Sequence, residues 1–514
     1  MGELSRRGLL RGGGAAGVLA LTGTAAASAE PAATGPYTYQ ALGVRPVINA
    51  KGTYSVLGGS LMSPEVCQAM NNATQAFVDL DELSDAIGTR LAKLLGAPHV
   101  MVTSSCSAAL THATSVCLAG GNVDLHAQLP DLTGLPSTEV IIPQHSRNPY
   151  ETSVTSFGLK VVEVATVAEL TQRLGSKTAL IYFLAGPSAD ESELNLKAVT
   201  AAAKRHDVPV LVDAAAEILT VPNKHLSAGA TLVAYSGGKV LRGPQSSGML
   251  LGPKDLLTAA LRVHAAPRHG VGRGYKVGKE EMLGLLAAVE TWMKRDHAAD
   301  QRQWTAWLQY IADRLRGISG VQTVLQRPSA LSDHTPILRV LWDKKKFETD
   351  GEAVTKALFA GAPRIAVEPD EWSSSPQTGV MVAAYMLQSG QEKVVADRLA
   401  AILLDPPRKP TEPATVDITG TWNVQIDFAA SRSTAQVLEL TQRGRNIEGV
   451  HRGEFAVREI HGRVDKDKVF MDSWFEGNGD ELYYAFSGTA AGKTMSGTLD
   501  MGEYGTAAWK ATRR

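Results

Sequence analysis

Seven short apolar runs lie near residues 99–103, 138–142, 159–164, 178–184, 208–213, 231–235 and 247–251, separated by stretches long enough for helices. Strands buried on both faces read as unbroken apolar runs, and strands alternating with helical segments build a mostly parallel sheet. The chain is therefore expected to adopt an α/β fold with three layers, α/β/α. Helices from about 280 to 316 should lead into a smaller α/β domain that ends at Leu404. In such sheets, ligand-facing groups gather beyond the carboxyl ends of the strands. Two candidates sit there: Asp213, closing Val208-Pro-Val-Leu-Val-Asp213, and the segment Ser236-Gly-Gly-Lys239 behind the run Thr231 to Tyr235.

A lysine that condenses with a carbonyl carbon needs close backbone approach and a pocket that favours its free amine. Gly237, Gly238 and Gly243 permit that approach around Lys239, and Ser236 offers a hydroxyl to a phosphate. A surface lysine in a glycine-rich loop is the alternative. An acid such as Asp213 suits the ring nitrogen of pyridoxal phosphate, because a protonated ring absorbs the electrons of a substrate carbanion. Asp213 also suits the N-cap of the Ala-rich stretch behind it, and the two roles are compatible. The third element is a strand, His99 to Thr103, a turn, Ser104-Ser-Cys-Ser107, and a helix, Ala108 to Leu118. A helix N-terminus carries free N–H groups and partial positive charge, which suits a phosphate. A serine-capped helix that binds nothing would have the same sequence.

In this order the segments resemble the selenocysteine synthase-like group of fold-type I pyridoxal-phosphate enzymes. That group is named for L-seryl-tRNA selenium transferase and includes D-glucosaminate-type ammonia-lyases. The resemblance covers roughly residues 41 to 404. Val44-Arg-Pro-Val-Ile-Asn-Ala-Lys-Gly-Thr53, Leu57-Gly-Gly-Ser-Leu-Met62 and Val78-Asp-Leu-Asp-Glu-Leu83 carry it. So do Val212-Asp-Ala-Ala-Ala-Glu217, Ser236-Gly-Gly-Lys-Val-Leu-Arg-Gly-Pro-Gln245 and Gly272-Arg-Gly-Tyr-Lys-Val-Gly-Lys-Glu-Glu281.

The resemblance implies that Lys239 carries pyridoxal 5'-phosphate, that Asp213 meets its pyridine nitrogen, and that Ser104, Ser105, Ser107 and Ser236 hold its phosphate. The group commonly has glycine where this chain has Ser105, so the phosphate turn is expected to differ in shape. His145 is a candidate to stack on the cofactor ring. Arg242, Arg273 and Lys276, with Lys279 beside them, are candidates for an anionic substrate group or a partner subunit's phosphate. Arg364 is a candidate for the substrate carboxylate, which a guanidinium binds through two parallel hydrogen bonds. Several members carry Arg-Asn-Pro-Tyr-Asp-His where this chain reads Arg147-Asn-Pro-Tyr-Glu-Thr152, so substrate specificity does not transfer at that point.

The implied activity is that of a pyridoxal-phosphate-dependent lyase acting on an amino acid or amino sugar acid. Removal of the α-proton and loss of a β-group would give ammonia and a 2-oxo acid. Racemisation, aldol cleavage and transamination share the same carbanion and stay open, as does a ligand-binding protein without turnover. The resemblance further implies a homodimer or higher oligomer. Selenium transfer is disfavoured: the net charge is −1 with no basic run suited to RNA, so no nucleic-acid partner is expected.

The two ends differ from the middle. Ser5-Arg-Arg-Gly-Leu-Leu10, a Gly/Ala/Leu-rich stretch and Ala27-Ser-Ala29 resemble a twin-arginine export signal. Residues 1–29 are thus expected to be removed, leaving no stable membrane anchor and a periplasmic or extracellular protein. Residues 30–62 would form an N-terminal segment whose part from Gly43 to Met62 reaches the active-site mouth, 63–316 the cofactor-binding domain and 317–404 the small domain. Residues 405–416 are a proline-rich linker. From 417 to 514 the chain alternates polar and apolar residues in short runs punctuated by Gly, Asn and Asp, as in an antiparallel barrel or sandwich, and Gly420-Thr-Trp422 gives it a lipocalin-like look. Cys67 and Cys117 read as small core residues, and Cys106 as a packed thiol within the phosphate turn. The histidine and cysteine spacing suggests no metal site.

Overall fold

A computed structural model of the chain describes residues 36–266, 269–371, 377–407, 412–430, 433–477 and 480–514. The expected export signal lies outside the described residues, as does part of the linker. Residues 36–46 belong to a unit of their own, a run of turns in which Thr38 Oγ1 accepts the Ala41 N–H at 3.1 Å.

The large domain is built on strands β1 (His99–Thr103), β2 (Glu139–Pro143), β3 (Lys160–Val164), β4 (Thr178–Leu184), β5 (Val210–Asp213), β6 (Leu232–Ser236) and β7 (Gly248–Gly252). They form one sheet in the order β1-β7-β6-β5-β4-β2-β3, parallel except that β7 runs against both β1 and β6. Successive side chains in a strand point to opposite faces, so each run feeds two cores. Val100, Val102, Val210, Val212, Val233 and Tyr235 pack into one with the helix Leu80–Leu95. Met101, Leu211, Leu232 and Ala234 pack into the other with helix α1 (Cys106–Ala119). Three layers result, as the apolar runs require.

The register sets the site. Thr103, Gly248 and Ser236 lie in one cross-strand row, and Asp213 sits opposite Ala234. The Ser-rich turn, the lysine loop and the acid therefore emerge at one edge of the sheet.

Helices α2 (Lys279–Lys294) and α3 (His297–Leu315) lead to the small domain, whose strands are β8 (Val321–Gln326), β9 (Ile337–Asp343), β10 (Glu368–Glu371) and β11 (Gln377–Ala383), in the antiparallel order β10-β11-β9-β8. Helices α4 (Gly351–Ala360) and α5 (Gln391–Leu404) complete it around Trp342, Leu338, Val380 and Leu399. A two-stranded parallel ribbon pairs Val47–Asn49 with Arg364–Ala366, tying the N-terminal segment to this domain.

The C-terminal module is a closed barrel of eight antiparallel strands: β12 (Gly420–Asp427), β13 (Thr434–Arg443), β14 (Asn446–Arg452), β15 (Val457–Asp465), β16 (Lys468–Gly477), β17 (Asp480–Ala491), β18 (Thr494–Asp500) and β19 (Thr506–Arg513). Each pairs with the next, and β12 pairs with β19 to close the ring. Closure removes both sheet edges. Trp422, Leu438, Met471, Phe486, Leu499 and Trp509 fill its interior. Seven of the strands are legible as alternating runs. β15 is hidden because Arg458 takes an inward position, where its guanidinium lies over the Tyr484 ring at 4.5 Å. The small domain meets the linker and the barrel: Thr349 Oγ1 donates to Pro407 O of the linker at 2.8 Å, and Asp500 of the barrel adds to the field of Glu352 on Lys356 of α4. Among the described residues no helix is long and apolar enough to cross a membrane.

One cysteine departs from expectation. Helix Pro64–Ala73 buries Val66 and Ala73, so Cys67, about 100° round from Val66, is exposed. Cys117 is partly buried against the core and Cys106 is buried.

Candidate active site

A cavity of about 280 Å³ opens at the carboxyl edge of the sheet, and Ser105, Ser107, Asp213, Ser236 and Lys239 all line it. Three pieces of backbone hold these groups in place. Asp213 ends β5, almost fully buried: Oδ1 accepts the Ala215 N–H at 3.0 Å and Oδ2 the Tyr182 hydroxyl at 2.9 Å. Cys106 Sγ lies 3.6 Å from Oδ1 as a third, weaker donor. Burial and the neighbouring Asp213 push the Cys106 thiol well up, so it is a packed donor and not a nucleophile. Tyr182 in turn accepts from Asn148 Nδ2 at 2.9 Å. The same two causes, burial first and then Asp213, raise the Tyr182 hydroxyl. This relay fixes the orientation of the carboxylate toward the cavity.

The lysine loop is folded tightly on itself. Gly237 N–H donates to Ser247 O and Gly243 N–H to Gly237 O, each at 2.9 Å. A Cβ on Gly238 would lie 2.6 Å from the Gln245 Cα, so only glycine fits there. The glycines thus bring the loop against its own return strand, which holds Lys239 at the cavity floor.

The serine turn is the N-terminus of α1. Ser105 is its N-cap, with Oγ accepting the Ala108 N–H at 3.0 Å. Its oxygen caps the helix while its proton stays free to donate, and the hydroxyls of Ser107 and Ser236 have no hydrogen-bond partner among the described residues. Ser104 is half-buried and is not among the residues lining the cavity.

A second, outer cavity of about 530 Å³ shares Lys239, Thr53, Ser55, Tyr150 and Ala216 with the first. Its wall adds Lys51, Tyr54, Asp333, Glu368 and Tyr385, and from the barrel Glu503. Lys51 pairs with Glu368 at 2.8 Å and lies over the Tyr54 ring at 4.4 Å. Burial, then Glu368, raises the Tyr54 hydroxyl. Asp333 is exposed on the cavity wall; partial desolvation there raises it and Lys239 opposes that shift. Tyr385 Oη accepts the Thr53 N–H at 2.9 Å and fixes the N-terminal strap across the mouth.

Several sequence candidates stand elsewhere. His145 turns from the cavity: Nε2 is 3.2 Å from Leu194 O and its ring meets Phe183 edge-on. From the same stretch Asn148 and Tyr150 line the cavity instead. Glu151 is buried, gripped by Arg147 at 2.8 Å through two nitrogens, so this departure from the resembling group is structural. Arg242 is a strap anchor: Nε donates to Leu61 O at 2.8 Å, and Gln245 Nε2 adds a bond to Ser55 O at 3.1 Å. Arg273 and Lys276 are exposed and outside both cavities, and Lys279 Nζ is held by Ala73 O and Glu280. Arg364 lies over Phe359 and donates Nε to Phe359 O at 3.1 Å, because ribbon pairing sends Ile365 inward and Arg364 outward. Among the described residues no arginine lines either cavity.

The donor set fits pyridoxal phosphate. An amine, a buried carboxylate with fixed orientation and a helix N-terminus with two uncommitted serine hydroxyls share one cavity.

Comparison with known proteins agrees with this reading of the fold. Residues 139–337 match the family model described as aminotransferase class-V. D-glucosaminate-6-phosphate ammonia lyase of Salmonella typhimurium is 31% identical over 304 residues, spanning 57% of this chain and 79% of that protein. A 5'-C-glycyluridine monooxygenase-decarboxylase of a Streptomyces species is 30% identical over 406 residues, 74% of this chain and 95% of that protein. An L-seryl-tRNA(Sec) selenium transferase of Edwardsiella ictaluri is 26% identical over 49% of this chain and 57% of its own length. A solved structure of D-glucosaminate-6-phosphate ammonia-lyase superposes with a TM-score of 0.62 at 27% identity, covering 71% of this chain and 98% of that one.

Proposed function

We propose, from the premise that this chain belongs to the aminotransferase class-V family of fold-type I pyridoxal-phosphate enzymes, that it is a lyase releasing ammonia from a hydroxylated amino acid or amino sugar acid. The observation that carries the reading is the convergence of Lys239, Asp213 and the serine turn on one cavity, in a chain 31% identical to an ammonia lyase.

Pyridoxal phosphate, when bound, supplies an electron sink for the pair left at the substrate α-carbon. Ser107, Ser236 and the first turn of α1 would hold its phosphate, and Asp213 would hold a proton at the ring nitrogen. Lys239 Nζ, which lines the cavity, would take the α-proton and return a proton to the departing β-hydroxyl. Water is lost across the α and β carbons and then taken up again. The balance is one hydroxy amino acid in, one 2-oxo acid and one ammonia out.

The 5'-C-glycyluridine monooxygenase-decarboxylase, matched over 95% of its length, favours a second reading, oxidative loss of the carboxylate. The readouts differ: dioxygen uptake and carbon dioxide in one case, ammonia without dioxygen uptake in the other. Export through the twin-arginine route belongs to the same proposal and rests on residues 5–10. So does a homodimer, in which the exposed Arg273 and Lys276 are available to the other subunit.

The test begins with the absorption spectrum of the purified protein before and after borohydride, beside Lys239→Ala. A visible band that borohydride removes in the wild type, and that the variant lacks, establishes the lysine's role. Hydroxylated amino acids are then screened for ammonia and 2-oxo acid. A holoenzyme that releases neither from any of them overturns the lyase reading.

A further inference from the structure

The barrel reaches the active site. Between β18 and β19 the chain makes a short turn, Gly502–Tyr504, closed by Met501 N–H to Gly505 O at 2.9 Å and by Gly502 N–H to Asp500 Oδ1 at 3.0 Å. Gly502 and Gly505 take positive φ there, 63° and 84°, which L side chains rarely adopt. The turn presents Glu503 to the outer cavity, whose wall also contains Lys239.

The charges around that mouth are unbalanced. Lys51 is already paired with Glu368. The carboxylates of Asp333 and Glu503 have no hydrogen-bond or ion-pair partner among the described residues. The cation that acts on Asp333 is Lys239. In the loaded enzyme that amine would be shared with the cofactor, which would weaken its hold on Asp333. Two carboxylates, one on the small-domain wall and one on the barrel turn, are left facing a cavity that no arginine lines among the described residues. A substrate phosphate or side-chain carboxylate would be repelled there, whereas an ammonium would be drawn in.

We propose that the barrel is a specificity element of the active site: Glu503 and Asp333 together select substrates that carry a second positive charge, remote from the amine that reacts. This rests on the reading of the cavity as a pyridoxal-phosphate site, and it replaces the anionic substrate expected from the sequence with a cationic one. The exposed Arg273 and Lys276 lie outside both cavities and do not alter the balance at the mouth.

Three five-carbon amino acids without a β-hydroxyl serve as probes: ornithine, norvaline and glutamate, each as both enantiomers. Their dissociation constants are measured by calorimetry on the holoenzyme. Ornithine should bind most tightly and glutamate least. Glu503→Gln and Asp333→Asn should each reduce the preference for ornithine over norvaline about three- to fivefold, the size expected of an ion pair at a partly solvated mouth. Glu503 is exposed on a surface turn, so its replacement does not threaten folding, and Glu503→Asp should retain most of the preference. Tightest binding of glutamate, or a ratio unchanged in both variants, overturns the inference. A wild type without a borohydride-sensitive band overturns the underlying cofactor reading as well; a band with no charge preference overturns the inference alone.

Discussion

Gly248→Ala should loosen the cofactor without touching any group that contacts it. Gly248 sits at the start of β7, paired with Thr103 on one side and Ser236 on the other. An alanine methyl there would lie 2.4 Å from the Ser105 carbonyl carbon, 2.6 Å from its oxygen and 2.7 Å from the Cys106 nitrogen. These are backbone atoms, so no side chain can swing aside. Ordinary contact begins at 3.4 Å, and the serine turn would have to withdraw by about 1 Å. Overpacking of this kind costs about 1–3 kcal/mol. If binding requires the turn to be brought back against that strain, cofactor affinity should fall by about five- to 150-fold, at about 1.4 kcal/mol per tenfold. Apoprotein is titrated with pyridoxal phosphate while the visible band and tryptophan emission are followed. Gly121→Ala is the control: its methyl would meet the Ala259 Cβ at 3.8 Å, beyond the other end of α1. If Gly248→Ala binds the cofactor within about twofold of wild type and melts at the same temperature, the turn is not held by this close approach and the reasoning fails.

The two serines of the turn should separate. Ser105→Ala removes an N-cap and should cost about 1 kcal/mol of stability even without cofactor, whereas Ser107→Ala should weaken cofactor binding with little change in the apoprotein's melting. Matching losses from both, in melting and in affinity, would contradict that division. His112 is buried and pushed down to about 4 by burial and by His264. Its folded value lies below its ordinary 6.5, so the unfolded chain takes the proton first. Its contribution is complete above pH 6.5, shrinks as the pH falls toward 4 and is then constant, with a slope of up to about 1.4 kcal/mol per pH unit. Native-state proteolysis across that range should find a shallower pH dependence in His112→Gln; parallel profiles would count against it.

The sheet was legible because a strand buried on both faces needs an unbroken apolar run. Each of the seven runs read from the sequence falls within two residues of a strand of the large sheet. The cavity floor was legible for a related reason. Asp213 ends a strand and Lys239 and the serine turn come soon after one, so the carboxyl-edge rule places them without knowledge of the packing. What escaped depends on packing between distant segments. Tyr182 sits inside an apolar run and reads as core, yet its hydroxyl reaches Asp213 because β4 lies beside β5. Arg242 reads as a free cation near the lysine and proves to be a strap anchor, since its partner, Leu61 O, is 181 residues away in sequence. β15 was lost when Arg458 filled an inward position that the alternation reserves for apolar residues.

The same distinction bears on which reaction the chain performs. Lysine, acid and serine turn supply what any carbanion chemistry of this fold needs, and their presence does not choose among elimination, decarboxylation and racemisation. That choice depends on which substrate bond is held perpendicular to the cofactor ring, hence on the groups that grip the rest of the substrate. In this chain the wall of the outer cavity, where the proposed substrate would be gripped, comes from the strap (Lys51, Tyr54), the small domain (Asp333, Glu368, Tyr385) and the barrel (Glu503). Each lies on a loop, a strap or a strand end outside the large sheet, where sequence can vary without disturbing the two cores. An acidic wall partly supplied by an added barrel is therefore the feature by which two enzymes sharing a cavity floor would part in substrate. It follows that grafting the floor residues of a relative should leave this chain's substrate preference intact, whereas reversing the charge of Glu503 should shift it.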